Sequence, residues 1–337
     1  MKRRSILLVA CGVLASLAVV PTAARAWHTS PAPRQIVGVD AHDGMVYKSG
    51  STYFLVGTTY GCGFNWLPGG PETEFCGFSV YRSPDLQTWE LVRTLFDPAG
   101  RSDYAGMSWQ ELCAGEGDGC FNPRMVRRHD GVWMLGFNAP FDFRRGAGSA
   151  YYIMGCNGPA GPCGKDAGPP HGSTHKPVMH LCYGNGDFSM VDMGGGEAWM
   201  FCTRENQTLS SEKLDFWWIN GTGIGDERLA KRTRVEAPGV AVVNGKWMMT
   251  FSEPHCGYCS GTGTGFALLA PSENWIYRGK LSERSCNGQP RSLFHLDGKP
   301  WLWIDQWTGG ATNQTEAPIL LVPIGHDRQG DKTIRCS

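Results

Sequence analysis

Residues 234–252 read RVEAPGVAVVNGKWMMTFS. Asn244-Gly245 separates two apolar runs, and both residues tolerate the positive φ that a tight hairpin turn demands. The flanking residues are β-branched, aromatic or otherwise apolar, which suits a pleated surface. Four other segments repeat the design: KSGSTYFLVG (48–57), RHDGVWMLGF (128–137), GGGEAWMFCT (194–203) and LDGKPWLWID (296–305). An apolar strand precedes every turn, as GMVY, RMVR, FSMVDM, GVAVV and SLFHL. Third and fourth strands follow in at least two copies, in GFSVYRSPDLQTWELV (77–92) and TGFALLAPSENWIYRG (264–279). Helical periodicity is nearly absent. A β-sandwich could hold similar hairpins, but recurrence of the same unit in the same order predicts radial blades. The expected fold is all-β, a five-bladed β-propeller.

The first 26 residues stand apart from this pattern. A basic MKRR, an apolar stretch and Ala24-Arg25-Ala26 describe a secretory leader cleaved after Ala26. Arg3-Arg4 faintly resembles a twin-arginine signal. Residues 27–337 are then expected to be one exported propeller domain, with no other run apolar enough to span a bilayer. The formal net charge is +0, and without a basic patch nucleic acid is excluded as a partner. Thirteen cysteines include Cys11 in the leader. The even remainder in an exported chain reads as disulfides, with Cys113–Cys120 and Cys156–Cys163 as plausible loop staples. HCGYC (255–259) fits a disulfide better than zinc, since no second ligand pair has the right spacing. Residues 97–120 and 155–177, rich in Gly, Pro and Cys, read as stapled insertions.

In a propeller the residues that open each innermost strand converge at one end of the central channel. Those openings are VDAHDG (39–44), CFNPRM (120–125), NGDFSM (185–190), RVEAPG (234–239) and CNGQPR (286–291). They supply Asp40, His42, Asp43, Asn122, Arg124, Asp187, Glu236, Gln289 and Arg291. Set side by side, Glu236 falls where blade one carries Asp43 and blades two and five carry amides. Two separated carboxylates suit glycoside hydrolysis: one protonated to assist the leaving oxygen, one ionised to activate water. Glu236, against Ala237-Pro238 and an apolar strand, is the acid candidate, because desolvation raises a carboxyl pKa. Asp43 is the base candidate, at a separation of roughly 6.5–9.5 Å for direct water attack. Arg124 could pair with a carboxylate or with sugar hydroxyls, and Trp109, Trp307 and Tyr258 could stack on a sugar ring. The same residues have plainer readings. Asp43 and Asp187 could simply shape turns, and His42 could be structural. GTGTG (261–265) lacks the lysine of a phosphate loop and reads as a tight loop near the channel.

At these positions the chain resembles glycoside hydrolase family 43, inverting five-bladed propellers that act on arabinan, xylan or galactan. The resemblance rests on AHDGMVYKSGSTYFLVGT, FNPRMV, GEAWMFCTREN, EAPGVAVVNGKWMMTFS and CNGQP, in that order along nearly the whole chain. It implies that Glu236 is the general acid and that Asp43 stands where most members carry the base. The AH before the first strand, the EN at 205–206 and the fifth-blade glutamine are similar to the exo-β-1,3-galactanase branch. That branch lacks the aspartate base and is thought to position water with its glutamine, which carries over to Gln289. Glu205 becomes a sugar ligand or modulator. The chain departs from both patterns, with Asp43 and Gln289 together, Arg124 in place of the aspartate that tunes the acid, and Phe121 in place of the branch's glutamate. The expectation is a secreted, monomeric glycosidase acting on a galactose- or arabinose-containing polysaccharide. Glu236, Asp43 and Gln289 would be catalytic, with His42, Arg124, Asp187, Glu205 and Trp307 binding substrate. No cofactor is required, although a structural calcium in the channel is compatible. The competing expectations are a non-catalytic glycan- or cell-wall-binding propeller and a hydrolase of a microbial cell-wall arabinan.

Overall fold

Asn244 and Gly245 have φ of 52° and 71°, and Asp297 and Gly298 have 50° and 75°, so these turns adopt the left-handed geometry their residues favour. A computed structural model describes residues 31–65, 75–96, 103–104, 107–108, 112–113, 119–140, 149–184, 186–253, 260–309, 314–326 and 332–337. The segment expected to be a leader, Trp109, Tyr258 and the cysteines of HCGYC lie outside the described residues.

After a short strand β1 (Arg34–Ile36), blade one contains β2 (His42–Ser49), β3 (Thr52–Thr58), β4 (Phe78–Ser83) and β5 (Glu90–Leu95). A two-stranded ribbon follows, β6 (Asp103–Tyr104) and β7 (Met107–Ser108). Blade two is β8 (Phe121–Arg127), β9 (Trp133–Asn138), β10 (Tyr151–Cys156) and β11 (Thr174–His175). Blade three is β12 (Phe188–Gly194), β13 (Glu197–Thr203), β14 (Leu209–Leu214) and β15 (Gly221–Asp226). Blade four is β16 (Glu236–Val243), β17 (Lys246–Glu253), β18 (Gly263–Leu269) and β19 (Trp275–Ser282). Blade five is β20 (Gln289–Leu296), β21 (Lys299–Asp305) and β22 (Ile319–His326), with β23 (Lys332–Ile334) added to β22. Its remaining strand comes from the other end of the chain: β1 pairs antiparallel with β22, Gln35 opposite Leu320. The ring is thus closed by a three-residue strand that its sequence, RQI, hardly announces.

The innermost strands β2, β8, β12, β16 and β20 each pack against the next, and β20 returns to β2. Core residues fall into five clusters, one at each seam between blades. Strand alternation produces this arrangement. In β10, Tyr151 and Ile153 enter the cluster shared with blade three, while Tyr152 and Met154 enter the one shared with blade one. Both faces of a blade are therefore apolar, and burial of both at the seams is the main driving force for closing the ring. Close approach near the axis restricts side-chain size. A Cβ on Gly239 of β16 would meet the backbone nitrogen of Leu293 in β20 at 2.3 Å.

Among the described residues five disulfides staple the ring: Cys62–Cys76, Cys113–Cys120, Cys156–Cys163, Cys182–Cys202 and Cys286–Cys336. The last closes a sequence separation of 50, and such a cross-link restricts the unfolded chain by roughly 4 kcal/mol. They fit an oxidising compartment. Two sequence expectations need correction. Segment 155–177 is more than an insertion, since its Thr174–His175 is the outer strand of blade two. GTGTG is a loop only as far as Thr262, where it bonds Gly288 beside Gln289; from Gly263 onward it is strand β18, and a Cβ on Gly265 would meet the Phe251 ring at 2.3 Å. Among the described residues no helix is long and apolar enough to cross a membrane.

Candidate active site

The first strands of blades one, two and four open with the same irregularity. Each has a bulge in its pairing with the second strand, and one residue in it takes positive φ: Asp43 (49°), Asn122 (54°) and Ala237 (55°). Asp and Asn tolerate that conformation, whereas for Ala it costs about 1 kcal/mol. Blade three holds the strained segment in place. Thr203 Oγ1 accepts the Ala237 N–H at 3.1 Å, and Ser189 Oγ donates to the Pro238 carbonyl at 2.5 Å. A bulge re-aims side chains at a strand's end, which is why it recurs next to sites.

Pairing register corrects the alignment read from sequence. His42 faces Thr58, Phe121 faces Asn138, Glu236 faces Ser252 and Gln289 faces Asp305. Glu236 therefore corresponds to His42 of blade one and Phe121 of blade two, while Asp43 and Asn122 correspond to Ala237. The fifth-blade match, Gln289, stands. Blades one, two and four share the bulge, so it does not cause the shift: counted back from the hairpin pairs Ser49–Thr52 and Val243–Lys246, His42 and Glu236 occupy the same place.

Glu236 and Gln289 meet directly. Gln289 Nε2 donates to Glu236 Oε1 at 2.5 Å, and the Trp307 indole N–H donates to Gln289 Oε1 at 2.7 Å. Because an indole can only donate, Trp307 fixes which end of the amide faces the glutamate. Trp307 is 5 % exposed and also packs near the His42 and Tyr60 rings. Burial, with the charge of Asp187, pushes the Glu236 carboxyl up to about 8, against the opposing pull of Arg291 and the Gln289 hydrogen bond. A glutamic acid in this state keeps its proton at neutral pH. Unlike Gln289, at 3 % exposed, Glu236 is only partly buried.

Asp43 lies deeper, 2 % exposed. Thr58 Oγ1 donates to its Oδ1 at 2.7 Å, and its backbone N–H donates to Asp305 Oδ2 at 2.8 Å. Burial raises its carboxyl to about 6 despite Arg291 and the Thr58 bond. His42 is fully buried, its Nδ1 3.4 Å from Asp305 Oδ1. Burial disfavours the charged imidazole, but the Asp305 hydrogen bond and charge outweigh it, so the His42 pKa is raised. Asp305 thereby ties His42 to the Asp43 backbone. Sequence reading missed it, since it ends a second strand in WLWID and looks like a strand terminus.

Arg291 and Arg124 divide the channel between them. Arg291 Nη1 and Nη2 bond Asp187 at 2.7 and 3.0 Å, a forked pair, and Nη2 also donates to Asn122 Oδ1 at 2.6 Å. Asn122 Nδ2 in turn donates to Asp187 Oδ1 at 2.9 Å. Arg124 bonds backbone carbonyls instead: Phe188 at 2.9 Å, Asp43 at 2.8 Å, Pro123 at 3.1 Å and Arg291 at 3.3 Å. It is 2 % exposed, and burial beside Arg291 lowers its pKa to about 10. Placed this way, Arg124 bridges innermost strands rather than presenting its guanidinium to solvent. Glu205 is on the exposed turn between β13 and β14, two residues beyond Thr203. Asp40 accepts the Tyr60 and Gly61 N–H groups and anchors the loop after β3. Among the described residues, no group of three or more His, Cys, Asp or Glu is arranged to hold a metal ion.

No protein-family model matches the chain, and no curated protein matches it in sequence. Solved structures do match its fold. An exo-β-1,3-galactanase from Phanerochaete chrysosporium bound to β-1,3-galactotriose superposes with a TM-score of 0.64 at 16% identity, over 91% of this chain and 66% of that one. A GH43 β-1,3-galactosidase bound to galactodeoxynojirimycin gives 0.63 at 14% identity, over 90% and 97%. An endo-1,4-β-xylanase from Bacteroides thetaiotaomicron gives 0.62 at 15%, over 89% and 95%. This chain thus spans just under two thirds of the fungal galactanase. At such identities the likeness establishes the five-bladed fold.

Proposed function

We propose that this protein is a secreted glycoside hydrolase with an inverting acid/base mechanism, acting on a galactose- or arabinose-containing polysaccharide. The observation that carries this reading is Glu236. Its carboxyl is held near pKa 8 at the partly open end of the channel, and one oxygen is fixed by the Gln289 amide. A carboxylic acid that keeps its proton at neutral pH is the donor that glycosidic cleavage requires. The galactan-active structures that share the fold support the substrate class, and the xylanase among them keeps the polymer open.

In the proposed reaction Glu236 transfers its proton to the glycosidic oxygen as the C–O bond breaks. Water attacks the opposite face of the sugar, and its proton passes to Asp43, ionised above about pH 6. Gln289 orients the acid, and Asp187 keeps it protonated. Trp307 acts through Gln289, and His42 through Asp305, rather than by stacking on sugar. Arg124 braces the channel, and Glu205 is left as a rim contact. The protein is expected to act as a monomer without cofactor.

A second reading draws on one observation: Asp43 is 2 % exposed, with Thr58 bonded to its Oδ1, as expected of a propeller that binds glycans without cleaving them. Incubating wild type and Glu236→Gln with β-1,3-galactan, arabinan and arabinogalactan separates the two. Sugar released by wild type alone supports hydrolysis. Retention of a polysaccharide by both proteins with no product from either would leave the binding reading standing.

A further inference from the structure

The strands of a blade alternate in direction, so the connections after β8, β10 and β14 lie at the end opposite Glu236 and Gln289, which open β16 and β20. There residues 215–220, DFWWIN, form a pinned turn. Asp215 accepts the Ile219 N–H at 3.0 Å and the Asn220 side-chain amide at 3.2 Å. Trp218, at φ 60°, is driven fully into the core, and its indole N–H donates to the Gly196 carbonyl at 3.1 Å. Its two predecessors are left outside: Phe216 is 64 % exposed and Trp217 is 53 % exposed. Neither ring is loose. Phe216 packs on Trp217 at 5.0 Å and on His129 at 4.5 Å. The Arg128 guanidinium lies 5.4 Å from the Trp217 ring centroid and donates to the Trp217 carbonyl at 2.8 Å.

Trp217 forms one wall of a pocket of about 210 Å³, whose other walls include Arg128, Pro170, His171, Ser173 and His175. Its chemistry narrows the ligand. Arg128 is already committed to Asp130, at 3.0 and 2.8 Å, so an anion finds no free counter-charge in it. Two histidines without a third ligand do not make a metal site. What remains is a flat, braced aromatic platform edged by imidazole and hydroxyl groups. That surface complements a molecule with an apolar face rimmed by hydroxyls, which is a sugar ring. Rings held in place before binding lose little freedom on binding.

We propose that this pocket is a second carbohydrate-binding site, holding polysaccharide on the face opposite the candidate active site. It rests on the polysaccharide reading above for its ligand class. The test uses the Glu236→Gln protein as parent, so that nothing is consumed, in native affinity gels containing β-1,3-galactan, arabinan or arabinogalactan. At least one polysaccharide should retard the parent, and adding Trp217→Ala should weaken that binding about tenfold. An unchanged thermal midpoint confirms that the variant is folded. In the wild-type background, Trp217→Ala should leave hydrolysis of short oligosaccharides unaltered. Equal retardation of parent and variant, or no retardation of the parent by any of the three, overturns the proposal. If wild type releases no sugar yet Trp217 still governs retardation, the hydrolase reading fails and this site stands.

Discussion

Two glutamates one blade apart show how the same side chain is put to opposite uses. Glu212, in β14 of blade three, is 0 % exposed and accepts the backbone N–H groups of His180, Leu181, Cys182 and Gly223 at 2.8–3.1 Å. Its surroundings leave room for nothing else: a Cβ on Gly221 would meet Glu212 Oε1 at 2.1 Å. Glu236 has one side-chain amide on one oxygen and the negative charge of Asp187 nearby. Four N–H donors hold the Glu212 side chain in place, whereas burial beside Asp187 keeps the Glu236 carboxyl protonated and able to give its proton away. Glu212 anchors a segment also stapled by Cys182–Cys202; in the proposed reaction Glu236 is the group that gives up its proton.

The comparison breaks most visibly on exchange of the two glutamates for glutamines. Glu236→Gln should lower sugar release by about 10³-fold while the protein unfolds at the same or a higher temperature. The stability should also change its pH dependence. A folded-state pKa near 8, above the ordinary 4.5, means the folded protein holds a proton that the unfolded chain releases in between. Wild type therefore loses stability as pH rises from about 4.5 through 8, and Glu236→Gln should flatten that slope in urea unfolding at several pH values. Glu212→Gln should instead lower stability, costing about 3–5 kcal/mol in urea unfolding because it mismatches four buried donors.

Smaller effects sharpen the assignment. Wild-type activity should follow a bell with limbs near 6 and 8, from Asp43 and Glu236. Asp187→Asn removes a charge that raises the Glu236 pKa and frees Arg291, which lowers it, so the alkaline limb should move down. An unmoved limb would show that Asp187 does not act on Glu236. Ala237→Gly should change stability by about 1 kcal/mol or less, since relief of positive φ opposes the added freedom of the unfolded chain. A larger loss in thermal unfolding would mean that the alanine methyl group matters to packing.

The hairpins were legible because turn residues and strand residues alternate within a few positions, and each such signal is local. Glu236 was legible for the same reason, standing at the start of the fourth copy of a repeated unit. The partners of that glutamate were not. Gln289 and Trp307 were named as separate candidates, but their chain of hydrogen bonds to Glu236 runs across a seam between blades. Arg291 was seen only as a ring member, and Asp305 not at all, since nothing beside either one marks the buried charge it meets. Nothing in DFWWIN marks which of its aromatic residues is buried, and only the inward swing of Trp218 turns Phe216 and Trp217 out.

By itself, then, the sequence determined the unit and its number. Period-two burial and positive-φ turns recur five times, and units apolar on both faces must stack to exclude water. Tertiary structure alone decided which ends meet, with three residues near the start completing the last blade. It also decided how side chains register in the channel, where strand pairing puts His42 rather than Asp43 at the position of Glu236. The physical reason is distance along the chain. Turn and strand preferences act over a few residues, but a proton's affinity for Glu236 is set by burial, Asp187, Arg291 and Gln289, which lie about 50 or more positions away.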